Sequence, residues 1–302
     1  MNLPETSSLP YTISMTALAQ VVAATVALDA SWAVSVSGDG TVRTWGTGAA
    51  PRVVRLTVAI DGGQPVTVAL SGKRLRVLWA AGETIRLYED VEGTLPRDDI
   101  FPAPARISGL ALSPSGGLVV VACEDGALRI LNAGSGKFSS TLATGPLTAR
   151  AVAVASDQGP VVAGFSDGSV RRYDLATGTS DLVGICPGIH LIAVTPDGGA
   201  VIGAGTDGVL LRWKPAVSSP PTFRAPGAAI TAVAADGTGD KVLTGTTAGR
   251  VQLLDFSGGP PTELGEAVAS GADFRGAVDN DVSFTVYRPQ ALSPGVWASL
   301  LV

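Results

Sequence analysis

Histidine is almost missing from this chain of 302 residues: His190 is the only one. A single histidine removes most Ser–His and Cys–His relays. Cysteine is scarce as well. Cys123 and Cys186 stand 63 positions apart, too few for a disulfide framework and too isolated for a zinc site, so two free buried thiols in a reducing compartment are expected. Charged residues make up only 16% of the chain, and no long run of Lys or Arg appears. With a net charge of −5 and a pI near 4.9, the basic stripe that nucleic acid or an anionic membrane requires is absent. Long apolar runs are lacking too. Residues 17–28 (ALAQVVAATVAL) come nearest to a signal core or span, but Glu5 precedes them, no positive charge comes before Arg43, and Gln20, Asp29 and Ser31 interrupt the run. A cytoplasmic chain without a nucleic-acid or membrane partner is expected.

What the chain does have is glycine, 38 of them, in a sequence that is 46% hydrophobic. That balance suits short strands and tight turns. Six segments repeat one pattern: GDGTVRTW (38–45), AGETIRLY (81–88), EDGALRIL (124–131), SDGSVRRY (166–173), TDGVLLRW (206–213) and TAGRVQLL (247–254). The residue after each turn (Thr41, Thr84, Ala127, Ser169, Val209, Arg250) recurs at intervals of 43, 43, 42, 40 and 41. A period near 42, with four strands per unit, specifies propeller blades.

The turns carry their own chemistry. Asp39, Asp125, Asp167 and Asp207 precede Gly40, Gly126, Gly168 and Gly208, and Asp-Gly between strands is a strong hairpin signal. Each carboxylate is placed to cap turn amides, while the glycine takes the positive φ. Ahead of each Asp-Gly turn from the third repeat on, a continuous apolar run such as LVVVAC (118–123) or PVVAGF (160–165) reads as strand b, buried on both faces. A second turn signature, LALSPSGG (110–117) or IAVTPDGG (192–199), joins a short strand a to strand b. Strand c alternates, with Val170 and Tyr173 at packing positions, and strand d forms the outer edge.

On these residues the chain resembles WD-repeat propellers of a degenerate, bacterial type over residues 14–265. No copy keeps the full Trp-Asp pair: Trp45 is followed by Gly46 and Trp213 by Lys214, while Tyr173-Asp174 and Leu254-Asp255 keep only the Asp. The Gly-His pair of that family is missing also, so its Asp-His-Ser-Trp network cannot recur. The resemblance implies an all-β propeller of six clear four-stranded repeats, at about 14–58, 65–102, 105–143, 149–184, 188–224 and 228–265. A seventh blade is expected from AVAS (267–270), DVSFTVYR (281–288) and VWASLLV (296–302), with the N-terminal YTISM (11–15) as its outer strand. The competing reading makes 266–302 the start of a further domain in a truncated multidomain protein.

Catalytic designs fare poorly. His190 alone makes neither a ligand set nor a relay. One Asp per turn does not make a calcium loop. GAGTDGV (203–209) has no helix after it to complete a nucleotide loop. Paired carboxylates are the one design a histidine-poor propeller can host. The candidates, Glu89–Asp90 and Asp98–Asp99, are adjacent residues that a strand points to opposite faces, and a solvated loop over 89–102 is the expectation. A quinone-cofactor propeller is disfavoured because the five tryptophans do not recur at one blade position. No catalytic residue, metal or cofactor is expected.

The resemblance implies a monomeric scaffold that binds a protein or peptide partner, with the b–c and d–a loops forming one face. Arg43, Arg86, Arg129, Arg171 and Arg212 follow the turns on strand c, and Gln252 replaces the arginine in the sixth repeat. They are either neutralised by the turn aspartates or offered to an acidic or phosphorylated ligand.

Overall fold

The computed structural model describes residues 11–16, 21–26, 32–37, 39, 41–46, 52–55, 66–71, 74–91, 96–142, 145–214, 222–224, 229–235, 237–246, 250–256, 261–266 and 281–286. Every element in them is a β-strand. The chain enters through β1 (Tyr11–Thr16) and then builds six four-stranded antiparallel sheets, each with its strands in sequence order. Blade one holds β2 (Val21–Val26), β3 (Trp32–Ser37), β4 (Thr41–Gly46) and β5 (Arg52–Arg55). Blade two holds β6 (Val66–Ser71), β7 (Arg74–Ala81), β8 (Thr84–Val91) and β9 (Arg97–Pro102). Blade three is β10 (Ile107–Leu112), β11 (Leu118–Cys123), β12 (Leu128–Asn132) and β13 (Lys137–Leu142). Blade four is β14 (Ala149–Val154), β15 (Val161–Phe165), β16 (Ser169–Tyr173) and β17 (Ser180–Ile185). Blade five follows with β18 (Ile189–Val194), β19 (Val201–Gly205), β20 (Val209–Trp213) and β21 (Thr222–Arg224). Blade six is β22 (Ile230–Ala235), β23 (Lys241–Thr246), β24 (Arg250–Asp255) and β25 (Thr262–Glu266).

The strands of a blade are called a to d. Each strand a packs on strand a of the next blade, from β2 through β6, β10, β14 and β18 to β22, so the first strands are innermost. The six repeats read from the sequence are six sheets arranged like propeller blades. Residues 21–26, inside the apolar N-terminal run, form β2. No helix long and apolar enough to cross a membrane occurs among the described residues.

The core sits between blades. Strands β11, β15 and β19 are buried along almost their whole length, as continuous apolar runs require. Period-two alternation then sorts each strand between its two neighbours. Leu78, Ile85 and Leu87 of blade two meet Val119, Val121 and Leu131 of blade three. Val120, Leu128 and Ile130 of blade three meet Val161, Phe165 and Tyr173 of blade four. The fifth residue after the b–c turn is buried in blades two to six: Tyr88, Leu131, Tyr173, Trp213 and Leu254. Trp213 lies between two glycines, because a Cβ at Gly184 or Gly203 would overlap its indole. Burying such a ring is worth roughly 2–3 kcal/mol, which the missing Trp-Asp network need not supply.

The first and last described strands pair with each other. β1 pairs antiparallel with β26 (Asp281–Val286), with Tyr11 opposite Val286 and Thr16 opposite Asp281. The N-terminal strand thus lies beside DVSFTV. Residues 267–280 and 287–302, which include AVAS and VWASLLV, are outside the described residues.

Candidate functional site

All four turn carboxylates face their own hairpins. Oδ1 of Asp39, Asp125, Asp167 and Asp207 accepts the amide two residues on, from Thr41 (2.9 Å), Ala127 (3.1 Å), Ser169 (2.9 Å) and Val209 (3.2 Å). The loops are a residue longer than a two-residue Asp-Gly hairpin. Gly126 N–H donates to Cys123 O and Cys123 N–H to Ala127 O, which encloses Glu124, Asp125 and Gly126. This is a three-residue hairpin whose last residue is left-handed, with φ of +83° at Gly126 and +85° at Gly168. Gly40 lies outside the described residues. The turns also hold the linkers into strand a: Glu124 N–H donates to Arg106 O, Ser166 N–H to Thr148 O and Thr206 N–H to Gly188 O. The b–c turns and the starts of the inner strands therefore share one end of the blades.

The arginines split into two groups by register. Arg43, Arg86, Arg129 and Arg171 stand opposite Ser35, Trp79, Val121 and Ala163 on strand b. Arg129 and Arg171 share the parity of Leu131 and Tyr173 and so face the preceding blade. The counterpart in blade five is Leu211, opposite Gly203. Arg212 comes one residue later, opposite Ile202, and a shift of one residue turns a side chain to the other face. It is a correction to the set: Arg212 is buried and faces blade six. Its Nη1 donates to Asp240 Oδ1 (2.5 Å) and Gly239 O (3.1 Å), and the guanidinium lies 4.8 Å from the centre of the Phe256 ring. Lys214 joins it on Asp240 at 2.8 Å.

The remaining arginines differ among themselves. Arg129 closes on Asp125 with two contacts, Nη1 to Oδ1 at 3.0 Å and Nη2 to Oδ2 at 2.5 Å. That pairing holds the Asp125 carboxyl below the usual carboxylate range and raises the guanidinium. Arg86 and Arg171 are half-buried. The side chain of Arg43 is outside the described residues.

A repeated irregularity marks the inner strands. Strand a is bulged after its first residue in five blades, which sets Val22, Ser108, Arg150, His190 and Thr231 in equivalent positions. Two of these bridge to the first residue of the next inner strand: Ser108 Oγ–H donates to Ala149 O (2.8 Å), and His190 Nε2–H donates to Ile230 O (2.7 Å). His190 is thus a link between blades, while its Nδ1 is buried without a hydrogen bond. The six inner strands contain no Asp or Glu, and Arg150 is their one charged residue.

The carboxylates of residues 89–102 are not in a solvated loop. Glu89 and Asp90 lie in β8 and are buried, and Asp98 and Asp99 lie in β9. Glu89 Oε1 takes Arg76 at 3.1 Å and Arg74 at 3.2 Å, and Oε2 takes Arg97 at 3.7 Å. Arg76 also donates to Gly116 O in the a–b turn of the next blade. Three cations around one acid overcome the cost of burying it. The network fastens blades two and three, as Arg212 fastens five and six.

No group of three or more His, Cys, Asp or Glu able to hold a metal occurs among the described residues. Cys123 and Cys186 are free and buried, and burial raises both thiols, that of Cys186 to about 11. Arg129 lies against Cys123 and opposes the rise, but both thiols are buried, without the exposure of a reactive thiolate.

The WD domain, G-beta repeat family matches residues 99–132. A WD repeat is thus detected in the chain, in support of a WD-repeat family. The matched span begins within β9 of blade two and ends with β12 of blade three, so the matched unit straddles two sheets. It contributes an outer strand to blade two and three strands to blade three, which ties these two blades covalently. No curated protein matches the chain.

Proposed function

We propose that this WD-repeat chain is a non-enzymatic scaffold that holds a protein or peptide partner on the end of the blades where the b–c turns lie. The observation that carries the reading is the composition of the inner strands. A propeller enzyme built on carboxylates needs acids converging at the axis, and the inner strands of the six described sheets have none. The rigid b–c hairpins, each capped by its own aspartate, instead suit a surface that presents side chains at fixed positions. WD repeats are generally interaction scaffolds, which favours the same reading. The partner pairs with the open arginines of the set Arg43, Arg86, Arg129 and Arg171.

The chain works as one monomeric cytoplasmic unit, with β1 and β26 as strands of a seventh blade. The β1–β26 pairing favours this over a separate domain beginning at 266. A pull-down with mass spectrometry, using residues 1–302 beside a chain ending at Gly265, tests both points. Capture of a defined partner by the full chain and insolubility of the shorter one is the expected outcome. A shorter chain that folds and captures equally well overturns the seventh blade.

A further inference from the structure

The outer strands β5, β9, β13, β17, β21 and β25 each have a sheet neighbour on one side only among the described residues. Such an edge presents a row of unpaired N–H and C=O groups, which proteins guard with charge, proline or brevity. β5 holds Arg52 and Arg55, β9 holds Arg97, Asp98 and Asp99 and ends on Pro102, and β25 holds Glu263 and Glu266. β21 is three residues long and ends on Arg224. β13 begins with Lys137, and its exposed residues after that are Ser139, Ser140 and Thr141. β17 of blade four is the exception. Its one charge is Asp181, and it carries two of the three exposed large hydrophobic residues among those described, Leu182 at 57% and Ile185 at 54%.

Register puts these two side chains together. Leu182 stands opposite Arg171 and Ile185 opposite Ser169, with Val183 as the extra residue of a bulge. The bulge turns residues three apart to one face, the face of blade four that looks toward blade three. β13 and β25 are bulged too, so the bulge is not what sets β17 apart. Arg171, on the same face, makes no ion pair within 4 Å among the described residues, whereas its counterpart Arg129 closes on Asp125. The cause is Ser169 in place of Ala127: its hydroxyl donates to Asp167 Oδ1 at 2.7 Å, alongside its own amide. An open edge, two apolar side chains and an unpaired cation therefore share one strip. We propose that β17 takes an extended segment of a partner as a fifth strand of blade four, with apolar side chains on Leu182 and Ile185 and a glutamate on Arg171. Backbone pairing supplies affinity, and alternate side chains set the register. Strands lie about 4.8 Å apart, so a partner residue level with Leu182 starts about 10 Å from Arg171, a gap that arginine and glutamate close between them. The assignment rests on the scaffold reading for its peptide partner and adds a contact at the rim of blade four.

Random peptides of about ten residues, displayed on phage, are selected on the full chain, and the most enriched one is synthesised with capped ends and titrated by calorimetry. It should alternate apolar residues, carry a glutamate, bind saturably and protect the amides of residues 180–185 from hydrogen exchange. L182K/I185K should weaken it about tenfold or more with an unchanged melting temperature, since both side chains are exposed. I100K, at the exposed hydrophobic residue on the edge of blade two, should leave binding within about twofold. R171Q should weaken it severalfold, and the same peptide with glutamine for glutamate should bind wild type and R171Q alike. No enriched peptide, equal binding by L182K/I185K, or protection confined to the b–c turns overturns the edge site and leaves the scaffold standing. Self-association of the chain that L182K/I185K abolishes would make a second copy the occupant, and overturns the partner strand as well. The scaffold falls separately, if the full chain captures nothing in the pull-down.

Discussion

His190 Nε2 and the carbonyl of Ile230 lie 2.7 Å apart and join the inner strands of blades five and six. Ser108 and Ala149 make the same bridge, at 2.8 Å, between blades three and four. The single histidine of the chain is therefore a structural donor at a bulge position, outside any relay. Replacing His190 by Ala should cost about 1 kcal/mol, the net worth of one such bond, with partner capture unchanged. Urea unfolding followed by tryptophan fluorescence measures this directly. A loss of capture without a loss of stability would give the ring a functional role instead.

Arg212 and Asp240 form the most consequential pair to break. Asp240→Asn leaves a buried guanidinium with a weaker partner and should cost on the order of 1–3 kcal/mol, because Asp240 itself is partly solvated. Lys214, then Arg212, holds the Asp240 carboxyl below its usual range. A carboxyl lowered on folding stabilises the fold above its unfolded value of about 3.9, and that part is lost as pH falls through the folded value. Asp125, Asp167 and Asp197, lowered likewise, act in the same direction. Urea unfolding at pH 7 and at pH 3 should show a smaller drop for D240N than for wild type.

Two glycines with similar backbones should respond differently to alanine. Gly126 has a φ of +83°, and a Cβ there would run into the carbonyls of Gly145 and Leu147 in the linker to blade four. Gly178 has a φ of +70° with open space around it. Gly178→Ala should cost about 1 kcal/mol, the left-handed conformation alone, whereas Gly126→Ala should cost at least twice that. Thermal melts of the two variants side by side check the difference. Equal melts would mean that the turn and the linker separate without cost.

Much of this fold was legible in the sequence because its signals are local and repeated. The Asp-Gly turns, the apolar b strands and the buried aromatic or leucine at the end of strand c recur every 42 residues or so, and each is set by neighbours a few positions away. The arginines were harder to read. Arg212 looks like a member of the Arg129 set until the residues after the turn are counted, when it falls one place late, on the parity of Leu210. Counting could have found it. The burial of Arg76 and Glu89 had no such signal, because their partners lie in another strand and in the next blade. Nor could sequence alone separate Arg129 from Arg171. Their different fates turn on whether a hydroxyl two residues earlier occupies the aspartate.

The measurement that tests the scaffold claim most directly is hydrogen–deuterium exchange on the captured complex. Protection on binding is expected at the b–c turns, over residues 82–83, 124–126, 166–168 and 206–208. Protection confined to the opposite a–b turns, at 113–117, 156–160, 195–200 and 237–240, or no protection at all, would contradict it.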